Sequence, residues 1–413
     1  MGSQIEQGTG QRLRALVRLS LADGLGPVLI RRLLDECGGD VERAGMADAG
    51  LLAQVRGIGS AGARRIADSL RRADPDAEIE RALGAGVQLI TRFDASYPPL
   101  LALIHDSPLL LYVRGELDAA RLLHSMAIVG SRRCSTYGRQ QAGRFASGLA
   151  MSGFVVVSGG ARGIDTAAHQ GALTAGGLTV VVLGCGMEHV YPRENKELFD
   201  RIVDSGGAIV TEFPMTTAPA AENFPRRNRI VSGMSLGTIV IEASSRSGAL
   251  ITARLACEDH NREVMAVPGR ADSTTSAGCH RMIREGWARL VTTPAEVLES
   301  LDGTEHLVQA AIRDTGVRTG GGDGSPPTLS GGGPLFDSTA SGALRDEAHD
   351  SMREVGLTET QRTILSALSS EPIDPDELAH QCGLDVATLQ ADLTLLQIRG
   401  LVQRTPSAGV WKV

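Results

Sequence analysis

Residues 126–291 of this 413-residue chain predict an α/β fold with a doubly wound, mostly parallel sheet. Three observations carry that expectation. Apolar runs recur along the stretch with helical segments between them. Each run is continuous and rich in Val and Ile rather than alternating, as in strands buried on both faces. The turns that follow the runs are small, rich in glycine and hydroxyl groups, and carry scattered arginines.

The runs, in order, are MAIVG (126–130), FVVVSG (154–159), TVVVLG (179–184), AIVTEF (208–213), TIVIEA (238–243), EVMAVPG (263–269) and ARLV (288–291). Ahead of them, residues 11–72 read as short helices joined by glycine turns. Two of those turns look alike: Gly24-Leu25-Gly26-Pro27 and Gly57-Ile58-Gly59-Ser60. A helix after a G-Φ-G turn resembles a helix-hairpin-helix, whose backbone N–H groups hold a nucleic-acid phosphate. Small helical domains of this kind (SAM-like ones included) also serve only to pack, and the residues leave both uses open. RFDASYPPL and SPLLLYVRG, within residues 80–123, read as irregular extended segments leading into the sheet.

Residues 315–345 are rich in Gly, Ser and Pro and read as a flexible linker. Beyond it, TETQRTILSALS, IDPDELAHQCG and LDVATLQADLTLLQIRG read as three helices, with Asp374 an N-cap and Gly400 at a C′ position. LVQRT and GVWKV follow as a hairpin, completing a winged helix-turn-helix. The expected domains are a helical one at 1–75, the sheet domain at 76–312, a linker at 313–350 and a winged helix at 351–413.

Composition narrows the function. Hydrophobic residues make up 42% of the chain and charged residues 22%, as in ordinary globular proteins. Of 41 basic residues only Lys196 and Lys412 are lysines, so cationic chemistry here means arginine, which grips phosphate bidentately and stacks on rings. A GC-rich coding bias accounts for most of that excess. The net charge of −7 excludes a histone-like binder. It is unevenly spread: residues 313–413 hold 8 basic and 14 acidic groups, leaving 1–312 near neutral. Any anion site is therefore a local patch. The six cysteines form no C-x-x-C pair, which argues against a zinc site or a disulfide framework. The N-terminal segment is broken by Arg12, Arg14, Arg18 and Asp23, unlike a signal peptide, and no apolar run reaches the ~18 residues a membrane span needs. A soluble, cytoplasmic protein without metal or cofactor is expected.

Ligands of open α/β sheets bind beyond the carboxyl ends of the strands. Gly130-Ser131-Arg132 follows the first run, and Ser158-Gly159-Gly160-Ala161-Arg162-Gly163 the second. Gly184-Cys185-Gly186 follows the third, with Tyr191-Pro192-Arg193 and Asn195 after it. Glu212, Ser244 to Gly248, and Pro268-Gly269 end the later ones. Backbone N–H groups and helix N-termini at such turns converge on anions. Asn223-Phe224-Pro225-Arg226-Arg227-Asn228-Arg229 looks like a helix start, where cations oppose the helix dipole. An anionic ligand accounts for three arginines there, and a base stacked on Phe224 suits a single strand. Asp165 and His169, four apart, share a helical face and are expected to order the loop before them.

One motif match is a decoy, and other familiar signatures are missing. Gly233-Met234-Ser235-Leu236-Gly237 fits G-x-S-x-G, but it sits between helix and strand, the reverse of a nucleophile elbow. The loop at 159–163 is not G-x-G-x-x-G, and no Walker A lysine is present. Glu212 and Glu242 lack an obvious metal partner.

Taken together, Ile128-Val129-Gly130-Ser131-Arg132 with Tyr137-Gly138, SGGARGIDTAAHQGAL, Tyr191-Pro192 with Asn195, FPRRNRIVSG, EASSRSGALITARLA, VPG and GCHRMIREG resemble the DprA/Smf family. The resemblance covers roughly residues 80–300, and the flanking helical and winged-helix units fit it. It implies a Rossmann-like sheet and a non-enzymatic protein of DNA uptake in natural transformation. Such proteins bind and shield single-stranded DNA, help load the RecA recombinase and form homodimers. Carried over by position, the DNA pocket comprises Ser131, Arg132, Gly159, Arg162, Gly163, Arg193, Lys196, Phe224, Arg226, Asn228 and Arg229, with Ser158 and Arg227 beside them. Where relatives carry a basic residue ahead of the F-P-x-R-N-R segment, this chain has Pro219-Ala220-Ala221-Glu222, which removes one phosphate contact.

Two other readings stand beside this one. A nucleotide hydrolase of phosphoribohydrolase type would use a related sheet, but its P-G-G-x-G-T motif is missing near Glu242. A transcription factor led by the winged helix would want basic residues on the third helix. That helix offers Thr388, Gln390, Asp392, Thr394 and Gln397, with only Arg399 basic.

Overall fold

The computed structural model describes residues 2–301, 303–315, 358–369, 373–398, 401–405 and 409–412. Nearly all of the expected linker, together with Arg399 and Gly400, lies outside the described residues. The chain divides into two compact units, a large one of residues 1–301 and 306–315 and a small C-terminal one.

A nine-stranded sheet centres the large unit. Its strands are β1 (Gln88–Thr91), β2 (Leu110–Gly115), β3 (Ser125–Val129), β4 (Val155–Ser158), β5 (Thr179–Val182), β6 (Ala208–Thr211), β7 (Gly237–Val240), β8 (Glu263–Ala266) and β9 (Arg289–Leu290). They lie in the order β1-β2-β6-β5-β4-β3-β7-β8-β9. From β6 to β9 every neighbouring pair is parallel. β3, β4, β5 and β7 are buried at every position, which is why their sequences do not alternate.

Of the two segments expected to be irregular, SPLLLYVRG holds strand β2, whereas RFDASYPPL is turn and the start of a short helix, with strand β1 just ahead of it. β1 pairs antiparallel with β2, and β2 antiparallel with β6, extending the sheet by two strands. The turn between β1 and β2 hid them. There Tyr97 is fully buried and its hydroxyl donates to Pro108 O at 2.6 Å, while Pro99 starts a short helix, Pro99–Ala102.

The chain runs outward from β3 through β4 and β5 to β6, then returns to β7 on the other side of β3. The order reverses between β3 and β7, so the crevice of this sheet opens at their carboxyl ends.

The N-terminal helices build a core of their own around Leu16, Leu33, Leu52 and Ile66. The two similar turns share one geometry. Gly24 and Gly57 take positive φ (84° and 98°), while Gly26 and Gly59 are extended N-caps of helices Pro27–Glu36 and Ser60–Arg72. Each turn lies against the other's helix: Gly24 faces Ile66 and Arg65, and Gly57 faces Leu29 and Arg32. A further core of Val17, Ala82, Val87, Tyr112 and Met215 joins the helices to the sheet edge. Glu78 reinforces it by accepting from Met215 N at 2.7 Å.

In the small unit, helices Glu359–Ala367, Pro375–Cys382 and Val386–Ile398 precede the hairpin Val402–Thr405 with Gly409–Lys412. Asp374 caps its helix by accepting from Asp376 N at 2.8 Å. Among the described residues no helix is long and apolar enough to cross a membrane.

Candidate nucleic-acid interface

The crevice between β3 and β7 is a cleft of about 860 Å³. Gly130 to Arg133, Gly159, Ala161 and Asp165 line one side; Ser244, Ser247, Thr274 and Thr275 line the other, and Phe224, Arg227 and Asn228 come from helix Asn223–Gly233. Glycine is required at two points. Gly163 has φ 81°, and a Cβ there would lie 2.4 Å from Ser131 O. A Cβ on Gly159 would meet the Arg227 guanidinium at 2.6 Å. The two glycine-bearing loops thus meet backbone to backbone, and the Arg227 side chain closes on Gly159 from the arginine helix; a side chain at either glycine would break these contacts.

Ser158 is buried and donates to Ile128 O at 2.6 Å, tying β4 to β3 rather than facing a ligand. Asp165 accepts from Ala161 N at 3.2 Å, and Asn195 Nδ2 donates to Gly160 O at 2.9 Å, so the glycine loop is held from two directions. Burial raises the Asp165 carboxyl to about 6 against the opposing field of Arg227. His169 was expected to order the same loop. It is tied instead to β5, its Nδ1 2.7 Å from Thr179 Oγ1. Thr179 spends its own proton on Val156 O, so Nδ1 carries the imidazole proton. Burial lowers the His169 pKa to about 3, and the ring is neutral.

The arginine segment divides by role. Arg227 is buried and donates to both Gly159 O and Val182 O, with its guanidinium 5.9 Å from the Phe224 ring centre. Arg229 is buried in an ion pair with Glu212, with Asp106 at 3.5 Å. These internal partners, rather than a ligand, explain two of the three cations at this helix start. The third, Arg226, is exposed but lies over Phe213 and lines a different groove. Phe224 is also engaged: Arg132 covers its ring at 4.6 Å, and Tyr191 sits 5.5 Å away.

Arg162 and Lys196 are exposed but paired with Glu194 and Asp200. Arg193 is exposed on the 3-10 turn that carries Asn195. Among the described residues no salt bridge joins Arg132, Arg133 or Arg193. Arg133, Tyr191, Thr274 and Thr275 line the cleft without having stood out as contacts in the sequence. The double arginine after Ser131 was the available signal for the first of them.

On the far side, Glu242 is buried and saturated. It accepts from Ser135 N (2.8 Å), Ser135 Oγ (2.6 Å) and Thr275 Oγ1 (3.1 Å). Among the described residues no cluster of three His, Cys, Asp or Glu is placed to hold a metal ion.

Comparison with known proteins places the chain in a family. Residues 88–302 match the family model of DNA recombination-mediator protein A, over half the chain. The chain belongs to that family, DprA/Smf. Residues 348–407 match the DprA winged helix domain. Protein Smf of Synechocystis is 32% identical over 397 residues, spanning 94% of this chain and 95% of that protein. Protein Smf of Escherichia coli is 48% identical over 217 residues, 52% of this chain and 57% of that protein. The X-ray structure of DNA processing protein A from Streptococcus pneumoniae aligns with a TM-score of 0.59 at 36% identity, covering 68% of this chain and 95% of that one.

The third winged-helix helix presents less than the sequence suggested. Thr394 is buried, Asp392 accepts from Gln361 Nε2 at 2.9 Å, and Thr388 is bonded to Asp385. Polar side chains committed to the fold cannot read base edges. The C-terminal segment from residue 351, produced alone, is expected to show no tight duplex binding at physiological salt by gel shift. Tight binding there would contradict this account.

Proposed function

We propose that this DprA/Smf protein binds single-stranded DNA in the β3/β7 cleft and mediates recombination without catalysing a reaction. The observation that carries the reading is the cleft itself. A strand-wide crevice at the topological switch point carries Arg132 and Arg133 on its lip, with the charged Arg227 in its floor. A stacked Phe224–Arg132 pair, with Tyr191 beside it, suits flat bases regardless of sequence. In this reading the phosphates run past Ser131, Arg132, Arg133 and Gly163, with Arg193 farther along. Arg162 and Lys196 add little, because each already has a carboxylate. The strand is then handed to a RecA recombinase by a cytoplasmic homodimer.

A hydrolase reading needs a free carboxylate near Glu242. The three donors on that side chain speak against it.

Anisotropy of labelled oligo-dT, titrated at several salt concentrations with duplex as competitor, tests the proposal. Binding should weaken with salt at a log–log slope of about 0.7 per phosphate held, and duplex should displace it poorly. Arg132→Ala should cost about tenfold or more in affinity, since it removes a charge and a stacked plane together. No binding at low salt and micromolar protein would sink the reading.

A further inference from the structure

The two similar glycine turns of the N-terminal helices belong to one motif used twice. GLGPVLIRR (24–32) and GIGSAGARR (57–65) match position by position, each a G-Φ-G turn and a helix with two arginines in its second turn. The copies differ in what becomes of those arginines. In the first, Arg31 donates to His105 O and Arg32 to Arg56 O at 2.8 Å, so both are spent on the fold. In the second, Arg64 and Arg65 are exposed, and among the described residues neither forms an ion pair. Helix Ser60–Arg72 turns Ala63, Ile66, Ala67 and Leu70 into the core, and its outward face carries Arg64, Arg65, Arg71 and Arg72. Its one acid, Asp68, is held by Arg71. Arg72 is unpaired, as is Arg56, exposed just ahead of the turn. Residues 11–72 hold 11 basic and 7 acidic groups, net +4, in a chain of net charge −7. Coding bias explains why these cations are arginines, not why four of them stand unpaired around one helix.

We propose that this arginine face is a second nucleic-acid surface, which takes the sugar–phosphate backbone of duplex DNA without reading its sequence. Residues 11–72 contain no Phe, Tyr or Trp, so nothing there stacks on the splayed bases of a single strand. In a duplex the bases are turned inward, and the outer surface is a phosphate array with one charge every ~1.7 Å of axis. Guanidinium forks match phosphate oxygens bidentately. The helix is about 20 Å long, enough to meet several phosphates at once. Its first turn holds no acid and its start has no side-chain cap, so nothing there repels or replaces an anion. Contacts to the backbone alone fix position and carry no sequence information. The surface is separate from the β3/β7 cleft, where Phe224 and Tyr191 supply the rings this one lacks.

The test uses the full chain and a short, blunt, fluorescein-labelled duplex, read by anisotropy at low salt with excess unlabelled oligo-dT present. The duplex should still bind. A variant carrying Arg56→Ala, Arg64→Ala, Arg65→Ala and Arg72→Ala should weaken duplex binding at least about tenfold and lower the log–log salt slope by about 3–4, at ~0.9 per phosphate contact. Its oligo-dT affinity and urea midpoint should stay at the parent's values, because all four side chains are exposed. A control variant carrying Arg81→Ala, Arg121→Ala, Arg254→Ala and Arg270→Ala removes the same charge from exposed arginines that already face carboxylates, and should leave duplex affinity within about twofold. No duplex binding at micromolar protein overturns the proposal. So does duplex binding that oligo-dT displaces, that the first variant retains, or that both variants lose alike. Displacement of the duplex by polyglutamate at equal charge also overturns it, and makes the face a contact for an acidic protein. The duplex arm does not need the cleft, so it stays readable if oligo-dT fails to bind.

Discussion

Arg227→Ala should destabilise the large unit by about 3–5 kcal/mol, read as a shift in the urea midpoint. The buried guanidinium bridges the carbonyls of Gly159 and Val182, donates from Nε to Asn228 Oδ1 at 3.2 Å, and opposes the charge of Asp165. Truncation strands two buried acceptors and a buried carboxylate, and opens a void under the glycine loop. Burial lowers the arginine to about 10, so it remains charged at neutral pH, and its loss is felt through Asp165 as well. The deficit should therefore be larger at pH 8, where Asp165 is ionised, than at pH 5. Arg227→Lys keeps the charge but cannot span both carbonyls, and should fall between. DNA affinity should drop as the loop loosens. A variant with wild-type stability that loses only affinity would make Arg227 a direct phosphate ligand, the role its sequence context suggests.

That contrast shows where sequence reasoning stops. The parallel core was legible because a strand buried on both faces has no polar alternation to hide it, and all seven runs became strands. The edge pair β1 and β2 was not legible: four and six residues flanking a Pro-rich turn give too short a pattern. The loops that face the cleft could be found because glycine marks close backbone approach. The roles of arginines could not. Arg226, Arg227 and Arg229 occupy one helix start, yet one lines a different groove, one bridges loop carbonyls and one is neutralised by Glu212. Partners distant in sequence decide among these, and the helical period alone does not name them. Asp165 and His169 make the same point. Four residues apart on one helix, they bond respectively to the loop and to β5.

Asp165 supplies the second large effect, and its sign is unusual for a carboxylate. In the native state its pKa is raised to about 6, above the ~3.9 of an unfolded aspartate. The folded protein therefore binds the extra proton between those values. The stabilisation is complete below about pH 4 and is lost as pH rises through about 6, by on the order of 2–3 kcal/mol. Asp165→Asn keeps an acceptor for Ala161 N and carries no charge to desolvate. It should flatten that slope and be at least as stable as the parent at pH 7, whereas most substitutions of buried polar groups cost stability. The same carboxylate lines the proposed DNA cleft, so a phosphate bound there favours its protonated form. Strand binding should then take up a proton and tighten as pH falls from about 7.5 to about 6. Asp165→Asn should bind more tightly at neutral pH and lose most of that dependence. Urea unfolding and oligo-dT anisotropy across this pH range read both effects on the same samples. A variant that is less stable at pH 7 and leaves the pH slope intact would show that Arg227 holds Asp165 ionised through the whole range.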